Sequence, residues 1–316
     1  MLVLTDAAPQ SPRPTAVALG VFDGVHRGHQ DLIARLVTLA AAHDAQPTII
    51  TFSPDPARVL APLTAPGVIA TLEQRLEWFG ELGVTQVRVL SFDEESANES
   101  ADDFIARVVV GELGAVAVLA GDDTHFGRDR SGGVASLMAA ADHFGFVVEQ
   151  CPSFGGDTRV SSSLVRAALR AGECETASAL LGRPFVLRGT VVHGDHRGRE
   201  IGFPTANLLT ADDQVLPSLG IYAGAAHVQG AWRAAAISVG KRPHFYDDGA
   251  LLVEVHLPQF QGDLYGTSMD VAFLHRLRGE AAFASLEELL EQIGRDVAES
   301  QGIFEKFTPE SSRLLR

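Results

Sequence analysis

The chain is poor in cysteine, poor in aromatic residues and short of positive charge for its length. Its 316 residues include only two cysteines, Cys151 and Cys174. They offer neither a metal-ligand spacing nor a disulfide framework, and read as plain buried or half-buried thiols. Lysine and arginine together number 25 against 40 acidic residues, a net charge of −15. Binding a phosphate backbone requires a basic surface, so no nucleic-acid partner is expected, although local basic residues can still hold a small anion. No apolar run reaches the roughly 20 residues that span a bilayer. The N-terminus, Met1-Leu2-Val3-Leu4-Thr5-Asp6, lacks the basic start and long apolar core of a signal peptide. The expectation is a soluble cytoplasmic protein with no membrane partner; homo-oligomerisation is left open.

The remaining composition is globular, with 46% hydrophobic and 21% charged residues, and the length suggests about two domains. The first part alternates strand and helix. Ala16–Leu19, 47–52, 84–92, 116–120 and 146–149 read as strands. Helices are expected after each turn: from Thr71-Leu72-Glu73-Gln74 to about Gly83, over 101–113 and over 134–144. Such alternation implies right-handed crossovers and a parallel sheet, with ligands at the carboxyl ends of strands near a switch in strand order. After Gly182-Arg183-Pro184 the pattern changes. Segments 185–193, 221–228, 232–239, 251–257 and 269–274 read as strands separated by glycine- and proline-rich turns. One amphipathic helix, from Ser285 to about Ala298, presents Leu286, Leu289, Leu290 and Ile293 on one face. An antiparallel barrel capped by a helix follows, with domains expected at 1–183 and 184–316.

The segment Gly20-Val21-Phe22-Asp23-Gly24-Val25-His26-Arg27-Gly28-His29-Gln30 joins the first strand to a helix whose apolar face carries Leu32, Ile33, Leu36, Val37 and Leu39. A glycine-bracketed strand-to-helix turn aims backbone N–H groups and the positive end of the helix dipole at one point, which suits a phosphate. His26 and His29 can face that anion, and Gly28 allows close approach. Taken alone, the two histidines could equally be metal ligands or polar turn residues.

Three further stretches carry chemistry. Arg159-Val160-Ser161-Ser162-Ser163-Leu164-Val165-Arg166 is a helix start, offering hydroxyls and free N–H groups, with Arg166 one turn in as a forked phosphate donor; a capped surface helix with an exposed arginine is the alternative. In 189–207, Gly194, Gly198 and Gly202 give a loop whose backbone can approach phosphates. There Thr205 and Asn207 present two hard oxygens on one side of an extended segment, as Mg2+ prefers, although a glycine-rich hairpin followed by an Asx turn has the same pattern. In Leu252-Val253-Glu254-Val255-His256-Leu257 the alternation puts Val253, Val255 and Leu257 on one face. Glu254 and His256 share the other face, which is by default a solvated one.

These motifs together resemble, in order, the bacterial bifunctional riboflavin kinase/FMN adenylyltransferases, also called FAD synthetases. The first turn is similar to their G-x-F-D-G-x-H-x-G-H signature, and the serine stretch to S-S-[ST]-x-[IV]-R. Residues 189–207 are similar to G-x-V-x-x-G…G-[FY]-P-T-A-N, and 252–257, followed by Phe260 and Asp263-Leu264-Tyr265-Gly266, to the segment bearing the kinase glutamate. The resemblance implies an α/β Rossmann-like nucleotidyltransferase domain with a parallel sheet, then an antiparallel β-barrel riboflavin kinase domain with a C-terminal helix. It implies ATP-dependent phosphorylation of riboflavin to FMN, then adenylylation of FMN to FAD. ATP would be the co-substrate, Mg2+ the cofactor, and riboflavin, FMN and FAD the remaining ligands. Gly20, Phe22, Asp23, Gly24, His26, Gly28, His29, Asp123, Arg159, Ser162, Ser163 and Arg166 would bind nucleotide in the first domain, with His26, His29 and Arg166 assisting adenylyl transfer. In the second, Gly194, Gly198, Gly202, Thr205 and Asn207 would bind Mg2+–ATP, the last two at the metal, and Glu254 would be the base. The chain departs from the pattern in four places: Asp55 stands where F-x-P-H-P has histidine, Thr124 where an aromatic is usual, and Lys241 and His244 are unexpected. Asp55 and Thr124 motivate one other reading, a riboflavin kinase whose transferase domain is weak or prefers another nucleotide. A third, a catalytically silent flavin-binding paralogue, is opposed by the intact Thr205, Asn207, Glu254, His26 and His29.

Overall fold

A computed structural model describes residues 1–152, 154–155, 159–194, 197–241, 251–309 and 312–315. By packing, the chain divides into two units, Met1–Val68 with Leu72–Ser161, and Ile69–Thr71 with Ser162–Arg316.

The first unit is built on six strands: β1 (Leu2–Leu4), β2 (Thr15–Leu19), β3 (Gln46–Ser53), β4 (Gln86–Ser91), β5 (Ala115–Gly121) and β6 (Val147–Cys151). Their order is β1-β4-β3-β2-β5-β6, and every pair is parallel. Four of the five residues of β2 are buried, as expected of a strand covered on both faces. The chain moves outward from β2 through β3 and β4, then returns to β2's other side as β5 and β6. That reversal puts a crevice at the carboxyl end of β2. The helix Arg27–Ala42 buries Ile33, Leu36, Leu39 and Ala40. The helix expected over 101–113 is wound in two ways, α-helical at Ala101–Phe104 and π-helical at Ile105–Glu112. Val17, Ile50, Leu90, Phe104, Ile105, Val108, Val118 and Phe126 belong to this unit's core. Arg88 of β4 is 1% exposed and meets Glu112 at 2.8 Å and Asp6 at 2.8 Å, while Glu112 also meets Arg107 at 2.8 Å.

The second unit is a closed antiparallel barrel ordered β10-β11-β8-β7-β12-β9. Its strands are β7 (Phe185–Val192), β8 (Thr205–Thr210), β9 (Gly220–Val228), β10 (Ala231–Lys241), β11 (Leu251–His256) and β12 (Ser268–Arg278). Five were expected; β8, read from sequence only as an extended segment, closes the ring between β7 and β11. Leu187, Val191, Tyr222, Ile237, Val239, Val253, Val255, Val271 and Phe273 belong to its core. The C-terminal helix runs from Leu286 to Phe304, beyond the end expected near Ala298, with Ser285 as its N-cap. Trp232 donates from Nε1 to the Leu315 carbonyl at 3.0 Å and meets Phe307 edge-on. The helices Ser162–Ala171 and Cys174–Leu181 pack on each other, and the latter packs on β7 and β12.

Candidate active sites

At the end of β2 the Gly20 N–H donates to the Ile50 carbonyl at 3.0 Å. The chain then reverses through Phe22 (φ 55), Gly24 (φ 73) and Val25 (φ 41), all in the left-handed region. Only glycine enters this region without steric cost, so two of these three residues are held there by their surroundings. His26 is the N-cap of the helix Arg27–Ala42, its Nδ1 accepting the His29 N–H at 3.3 Å. The two imidazoles stack with centroids 3.6 Å apart and planes 15° apart. His29 Nδ1 is buried without a hydrogen-bond partner among the described residues. Burial, then the positive fields of His26 and Arg75, hold its pKa well below the ordinary histidine value. His29 is therefore a neutral ring at neutral pH, a dipolar group rather than a cation. A Cβ at Gly28 would stand 3.2 Å from the His26 ring, so the glycine keeps this approach open. Among the described residues no group of three or more His, Cys, Asp and Glu side chains could hold a metal ion.

At the carboxyl end of β5, Asp123 and Arg159 are paired: the guanidinium donates to the carboxylate, and both side chains are exposed. Asp55 accepts the Ala57 N–H at 2.8 Å and caps the short helix Pro56–Leu60. Ser162, Ser163 and Arg166 open the helix Ser162–Ala171, which packs within the second unit. Arg166 is 7% exposed, which disfavours the alternative of an exposed surface arginine.

In the barrel the register puts Asn207 opposite Glu254 and Thr205 opposite His256. Alternation then places all four side chains on one face. Thr205 Oγ1 donates to Glu254 Oε1 at 3.2 Å. Val253 and Val255 fill the interior at 1% exposure each, while Glu254 and His256 are half-buried rather than freely solvated. A Cβ at Gly194 would lie 2.6 Å from Asn207 Cγ, and one at Gly198 would collide with the Phe203 carbonyl oxygen. The loop backbone thus lies directly against the nominated side chains. Thr205 also lines a cleft of ≈ 500 Å³, whose walls include Arg199, Ala206, Phe260, Asp263 and Tyr265. Tyr265 stacks on His193 with centroids 3.8 Å apart. Lys241 ends β10 and is exposed; His244 lies outside the described residues.

Residues 8–164 match the family model described as FAD synthetase, and residues 181–304 match that described as riboflavin kinase. A bifunctional riboflavin kinase/FMN adenylyltransferase from Pseudomonas fluorescens is 39% identical over 292 residues, covering 92% of this chain and 93% of the relative. The chain belongs to this bifunctional family. A second relative of the same description, from Escherichia coli K12, is 36% identical over 298 residues, covering 93% of this chain and 95% of its own. A crystal structure from Streptococcus pneumoniae, described as a macrolide-efflux protein, superposes with a TM-score of 0.86 at 30% identity, covering 98% of this chain and 100% of that one. Among the described residues of this family member no helix is long and apolar enough to cross a membrane.

One residue at the histidine turn was not singled out from sequence. Arg75 points into the turn from the helix Leu72–Glu81 and is 5% exposed. A signal for it exists: Arg75 stands three residues after Leu72 and four before Phe79, on the apolar face where a solvated arginine does not belong.

Proposed function

We propose that the barrel phosphorylates riboflavin to FMN and that the parallel-sheet domain transfers the adenylyl group of a second ATP to FMN, giving FAD. The observation that carries the kinase half is the convergence of Thr205, Asn207 and Glu254 on one face, with Thr205 also lining the cleft. Riboflavin's 5′-hydroxyl is neutral and must lose its proton. Glu254, a carboxylate already accepting one hydrogen bond, is suited to take it as the oxygen attacks the γ-phosphorus and ADP leaves. The hard oxygens of Thr205 and Asn207 fit a small cation that takes its other ligands from phosphates and water. Mg2+ held there would offset phosphate charge.

Adenylyl transfer needs no base, because the attacking FMN phosphate is already ionised. Its oxygen bonds to the α-phosphorus and the bond to the β-phosphate oxygen breaks, releasing pyrophosphate. Catalysis then rests on alignment and on neutralising charge. His26, His29 and the backbone N–H groups of the turn are assigned to that role, with Gly20, Phe22, Asp23, Gly24 and Gly28 shaping it. Asp123, Arg159, Ser162, Ser163 and Arg166 are assigned to ATP on the strength of their signature. Division at residues 1–183 and 184–316 and a cytoplasmic location, where ATP is available, complete the reading.

Chromatography of a reaction containing riboflavin, excess ATP and Mg2+, followed in time, tests it. FMN should rise and then give way to FAD. FMN that accumulates without FAD would refute the transferase half, and no product at all would refute both.

A further inference from the structure

The helix Leu72–Glu81 grips the histidine turn through two side chains that none of the signatures contains. Arg75 Nη1 donates to the Val21 carbonyl at 2.5 Å and to Thr51 Oγ1 at 3.2 Å, and that hydroxyl donates to the same carbonyl at 3.1 Å. Phe79, one helical turn further on, meets Phe22 edge-on with centroids 5.6 Å apart, and Phe22 in turn contacts the His29 ring at 5.1 Å. Residues 21 and 22 open the turn, and both are held from one helix. Phe22 and Val25 adopt left-handed backbone angles that non-glycine residues avoid. Such a conformation persists only where neighbouring groups over-determine it.

The guanidinium is almost wholly removed from water, so its charge needs partners nearby. Asp23, Asp55 and Glu73 are the carboxylates that act on it. Asp23 is itself buried, and Asp55 is fixed by its cap bond to Ala57. Asp55, an acidic residue where the resembling pattern has histidine, thus places a negative charge whose field favours the buried cation. His29 is faced by the charges of His26 and Arg75.

We propose that Arg75 is a positioning residue for adenylyl transfer, holding the phosphate-receiving turn through Val21 and Thr51, with Asp55 as one of its countercharges. The proposal rests on the assignment of adenylyl transfer to the His26/His29 turn. Arg75 acts through the turn, and its charge adds to burial and the field of His26 in holding the His29 pKa down.

The test uses the full chain and measures FMN-to-FAD and riboflavin-to-FMN conversion separately, together with the NMR titration of His29. In Arg75→Gln, kcat for FAD formation should fall about tenfold to a hundredfold, the size of a lost hydrogen bond from a charged donor. FMN formation should stay within twofold, showing a folded protein, and the His29 midpoint should move up because a positive neighbour has gone. Arg75→Lys should restore the His29 midpoint and part of the rate. Asp55→Asn keeps a good helix cap while removing the charge; its effect on FAD formation should vanish in the Arg75→Gln background. FAD formation within twofold of the parent in folded Arg75→Gln would overturn the proposal. So would a loss of rate with no shift of His29 and with additive effects of the two substitutions, since a merely structural arginine would behave that way. Failure of the underlying site assignment is a separate result: His29→Ala would then leave FAD formation unchanged.

Discussion

Replacing Glu254 by Gln separates the two activities most cleanly. The side chain keeps its size, and Oε1 can still accept from Thr205 Oγ1, now 3.2 Å away. The stability change should therefore be no more than the net worth of one hydrogen bond, about 1 kcal/mol. The chemical loss is larger. A positioned base contributes roughly 10² to 10⁴ in rate, which at 1.36 kcal/mol per decade is about 3–5 kcal/mol on the barrier. An amide cannot take the hydroxyl proton, so FMN formation should fall by that factor with the KM for riboflavin little changed. The assay is chromatographic: one time course starts from riboflavin and ATP, a second from FMN and ATP, at equal enzyme concentration. FAD formation from FMN should remain within twofold of the parent. A kinase rate within threefold of the parent would remove Glu254 from the role of base. An equal fall in both rates, in protein with an unchanged melting temperature, would refute the assignment of the two reactions to separate sites.

Gly194→Ala should push Asn207 out of place, because the added carbon stands 2.6 Å from Asn207 Cγ; overpacking of this kind costs about 1–3 kcal/mol, and steady-state kinetics should show a raised KM for ATP in the kinase reaction only. Glu112→Ala leaves the guanidinium of Arg88, 1% exposed, without its buried partner. Urea unfolding of the first unit should register a loss of about 3–5 kcal/mol. The depressed pKa of His29 makes stability depend on pH. The folded ring resists protonation while the unfolded one accepts a proton below pH ~6.5, so this contribution is fully present above that pH. It is lost as pH falls toward the folded value, with a slope of at most about 1.4 kcal/mol per pH unit. Urea midpoints at pH 7, 6 and 5 should decline less steeply in His29→Asn than in the parent; identical slopes would refute the buried neutral ring.

The elements that position chemistry were legible because their signals are local. The alternation Val253, Glu254, Val255 appears in the barrel as buried, half-buried, buried. The Gly20–His29 turn lies at the strand-to-helix junction where its glycines placed it. What escaped depends on tertiary partners. β1 is three residues long and has no period to read; it becomes a strand because Leu2, Val3 and Leu4 pair with Gln86, Val87 and Arg88. Eight residues from Ile105 to Glu112 are too few for hydrophobic periodicity to separate π from α winding. The helix Cys174–Leu181 went unread because glycines at 172 and 182 leave only a short patterned run between them. Arg75 escaped because a charged residue in an amphipathic helix reads as solvated, and only the Val21 carbonyl and its acidic neighbours explain why it is buried.

The two packing units also divide the chain's optical properties. Its two tryptophans fall one to each: Trp78, 6% exposed, in the helix Leu72–Glu81, and Trp232 in β10, tethered to Leu315. Intrinsic fluorescence of the parent is therefore a sum of two local reporters, and its unfolding curve is a superposition whenever the two cores melt at different denaturant concentrations. Trp78→Phe would leave a fluorophore that reports the barrel alone, and Trp232→Phe one that reports the parallel sheet alone. Ligand-induced shifts in each single-tryptophan protein would then show which unit a given flavin or nucleotide protects, without any label being added.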